Sequence, residues 1–394
     1  MIGITKLYCG AITPSDALRY GREIGKLPHH LMQFAQDKKP IVVWNCSRRC
    51  NLSCIHCYSD SRNQGYSGEL STAEAKTMID DLAAYKAPVL LFSGGEPLMR
   101  EDLFELANYA VGKGLRVVIS TNGTLISKEA ARDIKKAGIS YVGVSLDGIG
   151  SNNDRFRGKK GAFDEALRGI ENCREVDQRV GLRLTLTKHN AKDLTEIYRL
   201  IEEVNIDRAC FYHLVYAGRG RGIQGDDLTH QETREAVDLI CQKAMDFHKR
   251  GVEKEILTVD NHTDGVYVYL KVREDQPERA EDVMQLLRWN GGNSSGIGIA
   301  DVDNQGDVHA DQFWQDYSFG NVRQRPFSQI WEDRSDPLMA GLKDRKSLLK
   351  GKCGKCTYLD ICNGNFRSRA KAVYNDPWAE DPACYLSAEE LGSS

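Results

Sequence analysis

The chain has 394 residues, 41% hydrophobic and 28% charged, an ordinary globular composition long enough to bury one large domain and an appendage. Its formal net charge of −3 gives no electrostatic footprint for nucleic acid or an anionic membrane surface. No apolar run approaches the ~20 residues that span a bilayer, and Lys6, Asp16 and Arg19 interrupt the opening segment, so no membrane partner and a cytoplasmic location are expected.

Strand-like apolar runs then recur in chain order at 41–45, 88–92, 116–120, 141–145, 181–187 and 209–216. Between them, 72–85, 101–113, 128–137, 163–175 and 194–204 carry apolar residues at three- and four-residue spacing, the helical period. This alternation predicts βα units and a parallel sheet. Six units are too few for a closed eight-stranded barrel, and both a partial barrel and an open sheet fit the spacing.

Polar motifs follow the ends of these strands: Cys50-x3-Cys54-x2-Cys57, then Ser93-Gly94-Gly95-Glu96-Pro97, then Ser120-Thr121-Asn122-Gly123, then Ser145-Leu146-Asp147-Gly148. In parallel α/β architectures ligands bind at the carboxyl ends of strands, so the four motifs are expected to share one pocket. Three thiolates can hold three irons of a cubane cluster and leave the fourth open to a ligand. A structural zinc site ordinarily takes four ligands in paired units, and buried core thiols are the plain alternative. Gly94 and Gly95 lack Cβ atoms and allow close backbone approach, while Glu96 offers a carboxylate to an ammonium group. Taken singly, Gly-Gly-Glu-Pro and Thr-Asn-Gly are turn signals.

A second group of cysteines, Cys353-x2-Cys356-x5-Cys362 with a distant Cys384, supplies four thiolates, which suit either zinc or an iron-sulfur cluster. Cys173, Cys210 and Cys241 read as small buried hydrophobes, whereas Cys9 and Cys46 are candidates for reaching a site.

The cysteine motif followed in order by Gly-Gly-Glu and the later strand-end motifs resembles the radical S-adenosylmethionine (SAM) family over residues 40–215. The resemblance implies an α/β fold, a partial (β/α)6 barrel at 39–228, flanked by an N-terminal extension at 1–38 and a helical connecting segment at 229–291. It implies a 4Fe-4S cluster on Cys50, Cys54 and Cys57 whose open iron is chelated by SAM, with Tyr58, Gly94, Gly95, Glu96, Ser120, Asn122 and Ser145 around that cofactor. Residues 292–394 resemble the SPASM/twitch extension of such enzymes, a C-terminal cysteine-rich iron-sulfur region. That implies a second, auxiliary 4Fe-4S cluster on Cys353, Cys356, Cys362 and Cys384. One auxiliary cluster is expected, because Asn293, Asp311 and Phe366 stand where the fuller pattern has cysteines.

The strings 310–314, 317–322, 361–367 and 378–384 resemble the radical SAM enzymes that modify heme precursors. The openings 1–10 and 16–21 most resemble the branch that removes two acetate side chains from 12,18-didecarboxysiroheme to give iron-coproporphyrin III. Oxidative decarboxylation of iron-coproporphyrin to heme, propionate removal toward the nitrite-reductase heme, and peptide modification are the alternatives. The implied partners are an iron tetrapyrrole substrate and a low-potential electron donor such as flavodoxin or ferredoxin. Such a substrate calls for cations opposite its carboxylates, flat walls and an axial ligand. Arg219 and Arg221, in a glycine-rich stretch, suit the first role or are simply a solvated loop. Arg157 either contacts substrate or caps a helix, and Phe313 and Trp314 form a wall or belong to the core. His213 and His309 are candidates to ligate iron or move a proton, against the ordinary reading of structural histidines.

Overall fold

The computed structural model describes residues 1–20 and 39–392; residues 21–38 of the expected N-terminal extension lie outside it. The six expected strands are β2 (Ile41–Ser47), β3 (Val89–Gly94), β4 (Arg116–Thr121), β5 (Val142–Ser145), β6 (Val180–Leu186) and β7 (Arg208–His213), after a short β1 (Ile2–Gly3). Three further strands follow: β8 (Glu255–Val259), β9 (Ile299–Val302) and β10 (Val308–His309). All belong to one sheet of order β1-β8-β7-β6-β5-β4-β3-β2-β9-β10. Neighbours from β9 through β2 to β8 are parallel, and β1 and β10 close the two edges as antiparallel partners.

The helices between strands owe their placement to the expected periodicity. In Thr72–Ala84 the buried residues Ala75, Met78, Ile79 and Leu82 recur at helical spacing on one stripe that faces the sheet. Ser71 and Glu74 form a reciprocal capping box at its start, satisfying two otherwise unpaired backbone donors. The strands alternate in the complementary sense. On β6, Leu182, Leu184 and Leu186 are buried in the hydrophobic core, while Arg183 and Thr185 face the concave side. Residues from β2 through β7, and the residue after β8, line one cavity, so the sheet curves into an incomplete barrel.

One feature differs from the sequence reading. The segment expected to be only helical connection contributes β8, whose five residues are all buried, between the helices His230–Lys249 and Thr263–Asp275. The cysteine-rich region shares the sheet and the core: β9 pairs with β2 from Ile41↔Ile299 to Trp44↔Val302, and one continuous core runs from Ile2 to Leu391. Both cysteine groups are therefore held on a common frame.

Candidate active site

The loop after β2 brings Cys50, Cys54 and Cys57 to the wall of a cavity of about 1070 Å³, together with Gly94, Gly95, Ser120, Asn122 and Ser145 from the ends of β3, β4 and β5. The four motifs thus meet at the carboxyl end of the sheet. Tyr58 lines the same cavity; its hydroxyl donates to Asn45 Oδ1 at 2.8 Å and lies 3.1 Å from Ser93 Oγ.

Close backbone packing fixes this loop. The Gly95 and Glu96 amides donate to the carbonyls of Ser47 and Arg49 at 2.7 and 2.8 Å. A Cβ on Gly94 would lie 2.3 Å from Ser47 O, and one on Gly95 would lie 2.2 Å from Arg49 O. These glycines are required by the approach of the cysteine loop itself, in addition to any ligand. The same holds opposite: a Cβ on Gly158 would meet Ser53 O at 2.7 Å, and one on Gly218 would meet Cys57 O at 2.4 Å.

Several side chains expected at the ligand instead hold this loop. Glu96 is fully buried and does not line the cavity; it accepts from Thr121 Oγ1 at 2.7 Å, the Asn122 amide at 2.8 Å and the Leu98 amide at 3.1 Å. Burial pushes its pKa up while those donors oppose the shift. Arg219 donates to Cys54 O and Asp60 Oδ1, both at 2.7 Å, and to Ser61 O at 2.9 Å, so its guanidinium staples the loop. Asn122 joins it to β4 through Asn51 Oδ1 at 2.8 Å. Arg221 is more than half exposed, 3.6 Å from Asp316, and lines a separate polar cleft that also contains His309 and meets the main cavity at Tyr58, Gly94 and Phe313.

Arg157, left open between two readings, lines the main cavity, with Nη1 at 3.6 Å from Cys54 Sγ and Nη2 paired to buried Asp147. His56 lies against Phe156 with ring centroids 4.6 Å apart, and burial lowers its pKa to about 4 despite the nearby Asp147 carboxylate. Burial pushes the Cys50 thiol up to about 12, so loading iron there requires loss of its proton.

The two histidine candidates separate. His213 lines the main cavity with Nε2 at 2.8 Å from Asp264, whose other oxygen accepts from Tyr385 at 2.8 Å. His309 does not line it: Nδ1 bonds Tyr317 O at 2.7 Å, and Nε2 is buried 3.8 Å from Asp303. Burial works against its charge, but Asp303 and Asp301 outweigh it and raise the pKa to about 9. His309 therefore stands apart from the main cavity, in the neighbouring polar cleft. Cys46 and Cys9 are core thiols: Cys46 bonds Ser93 O at 3.4 Å, and neither lines a cysteine cavity. Trp314 is buried in a satellite core, whereas Phe313 forms part of the cavity wall.

Sequence reasoning missed Arg183, Tyr212 and Asp260, all in the main cavity. Arg183 Nε donates to the Tyr212 hydroxyl at 2.8 Å and has no carboxylate partner among the described residues. The signal was present, since Arg183 and Thr185 alternate with leucines along a strand.

Cys353, Cys356, Cys362 and Cys384 line a second cavity of about 380 Å³, with Val266, Leu359 and Leu386 among its walls. The other three thiolates join burial in raising the Cys362 pKa, which places all four sulfurs within electrostatic reach. Four thiols lining one cavity suit zinc or a four-sulfur cluster. Asn293 and Asp311, which stand where the fuller pattern has cysteines, enter a buried network: Arg345 Nη1 donates to Asn293 at 2.6 Å, and Asp311 accepts from Ser295.

A radical SAM superfamily model matches residues 44–201. The chain is 60% identical to Fe-coproporphyrin III synthase of Methanosarcina barkeri over 100% of this chain and 99% of that protein. It is 44% identical to pre-heme d1 synthase of Dinoroseobacter shibae over 90% of this chain and 88% of the relative. Among solved structures, Streptococcus suis SuiB bound to its precursor peptide SuiA superposes with a TM-score of 0.69 at 17% identity, covering 91% of this chain and 79% of SuiB, a likeness of fold.

Proposed function

This chain belongs to the heme-precursor branch of the radical SAM superfamily, and on that premise we propose that it removes the two acetate side chains of 12,18-didecarboxysiroheme to give iron-coproporphyrin III. The observation that carries this reading is the 60% identity, end to end, with an Fe-coproporphyrin III synthase. The cavity is consistent with it, because it combines three thiols with Arg183, whose partner is the Tyr212 hydroxyl rather than a carboxylate, and a wall at Phe313 and Tyr212.

The donor chemistry fits the family's cofactors. Cys50, Cys54 and Cys57 would hold a 4Fe-4S cluster whose open iron takes SAM, and reductive cleavage of SAM supplies a carbon radical able to remove a hydrogen atom. Ser120, Asn122, Ser145 and Tyr58, with the backbone at Gly94 and Gly95, are the groups available to orient it. Glu96 and Arg219 are assigned to positioning the loop. Arg157 and Arg183 are assigned to anionic groups of the bound molecules, in place of Arg219 and Arg221. Cys353, Cys356, Cys362 and Cys384 are assigned to an auxiliary 4Fe-4S cluster. A low-potential one-electron donor of the flavodoxin or ferredoxin kind completes the system, and we place it in the cytoplasm; no helix among the described residues is long and apolar enough to cross a membrane.

The test is anaerobic incubation of reconstituted, reduced protein with SAM and didecarboxysiroheme, followed by mass spectrometry of the tetrapyrrole. Stepwise loss of two acetate arms supports the reading. An inert didecarboxysiroheme together with turnover of iron-coproporphyrin, or of the precursor of heme d1, would transfer the chain to one of those reactions.

A further inference from the structure

We propose that Asp260 is the proton donor to the acetate fragment that leaves the tetrapyrrole. This rests on the acetate-removal reading and assigns a residue to a step that reading requires. Once a hydrogen atom has been taken from the reduced ring carbon beside the arm, breaking the bond between ring and arm forms a ring double bond and frees a carboxymethyl radical. That radical becomes acetate by gaining one electron and one proton. The electron comes from the low-potential one-electron donor that the reaction already uses; the proton must come from an acid within the cavity.

Asp260 follows β8 at the carboxyl end of the sheet and is the one carboxyl group lining the main cavity among the described residues. Its backbone carbonyl accepts from Arg369 at 2.7 Å, whereas its carboxyl holds no hydrogen bond to the described residues. Its backbone is in the left-handed region, φ +65°, a conformation that costs any residue with a Cβ and that directs this side chain from the end of the strand. Burial is the largest influence on its acidity and Asp311 acts in the same direction. The α-amino group of Met1, Arg369 and Arg183 oppose them, and the balance leaves a pKa of about 7. Tyr212 also faces it.

Other acids on the wall are less able to give a proton. Burial pushes the Tyr212 phenol up to about 12 and raises Tyr58 further. His56 is neutral at ordinary pH, and His213 commits Nε2 to Asp264. A carboxylic acid poised near neutrality gives its proton readily and recovers it from water before the second arm is cleaved.

The experiment compares wild type with Asp260→Asn and Asp260→Glu, loaded with both clusters and given SAM, reductant and didecarboxysiroheme. Deoxyadenosine, acetate and tetrapyrrole are followed from pH 5.5 to 8.5 in water and D2O. Asparagine tolerates left-handed backbone, so Asp260→Asn is expected to fold. It should keep deoxyadenosine formation within about threefold while acetate release falls about a hundredfold. Wild-type acetate release should decline above pH 7 and slow in D2O, and both dependences should vanish in Asp260→Asn and return in part in Asp260→Glu. Wild-type acetate rates and an unchanged pH profile in Asp260→Asn would overturn the proposal alone. Absence of acetate from the wild type, with SAM still cleaved, would overturn the substrate reading and the proposal with it.

Discussion

The two cysteine sites differ in what mainly holds them. The Cys50–Cys54–Cys57 loop is gripped by main chain: carbonyls and amides of three neighbouring loops close on it, and Gly94, Gly95, Gly158 and Gly218 are spaces into which its backbone fits. The Cys353–Cys384 region is held by buried arginines. Arg369, fully buried, donates to Asp381 Oδ2 at 2.9 Å, Asp260 O at 2.7 Å and Leu214 O at 3.2 Å, tying this region to the ends of β7 and β8. Arg367 and Arg345 bond carbonyls within the region. Three sulfurs beside a large cavity suit chemistry on a small molecule; four around a small one suit a closed cluster. Main-chain packing and the Arg219 staple hold the first site; buried arginines, with Gly292 packed against Cys362, hold the second.

That contrast can be broken first at the sulfurs. Replacing Cys54 with Ala should abolish SAM cleavage, a fall of at least about a thousandfold in deoxyadenosine by chromatography, because cofactor chemistry has no side-chain substitute. Replacing Cys356 should leave uncoupled SAM cleavage but impair tetrapyrrole product. Abundant deoxyadenosine from the Cys54 variant, or normal product from the Cys356 variant, would undo the division of labour.

Next come the two kinds of support. Asp381→Asn breaks an ion pair whose side chains are both 0% exposed, and such a loss typically costs about 3–5 kcal/mol. Chemical denaturation should show it, with iron content falling toward that of the first site alone. Gly95→Ala places a Cβ against the Arg49 carbonyl, and overpacking of this kind costs about 1–3 kcal/mol. Iron should then be lost selectively from the first site, and equal loss from both would contradict the contrast.

The smallest effect is on pH. The folded pKa of His309 lies at about 9, above its unfolded value, so its stabilisation is fully present below about pH 6.5 and is lost as pH rises through 9. Asp301 has the same sign: burial lifts it to about 8, and ionising it on the way up costs stability. Melting temperature should therefore decline from pH 6.5 to 9.5, with a flatter profile in Asp303→Asn. A rise over that interval would contradict the sign.

Much of this architecture was legible in the sequence, because parallel strands buried on both faces read as apolar runs and their ends carry the polar motifs. β8 was not. Five buried residues between two long helices give too short a run to stand apart from helical periodicity, and with β8 went Asp260, immediately after it. Residue type was more legible than orientation. Glu96 and Arg219 sit in the motifs expected to touch ligand, yet their charges are satisfied by the loop, and only the folded partners Thr121, Asn122, Asp60 and Cys54 reveal it. Arg183 has the reverse history: one arginine on a leucine-rich strand looks like an exposed residue until the curvature of the sheet turns that face inward.

Removal of two acetate arms has a fixed stoichiometry. In anaerobic turnover of didecarboxysiroheme, deoxyadenosine and the tetrapyrrole would be quantified in the same samples. The result predicted is one deoxyadenosine for each acetate arm lost and two per macrocycle, ending at iron-coproporphyrin III. Sustained deoxyadenosine formation with the macrocycle mass unchanged would contradict it.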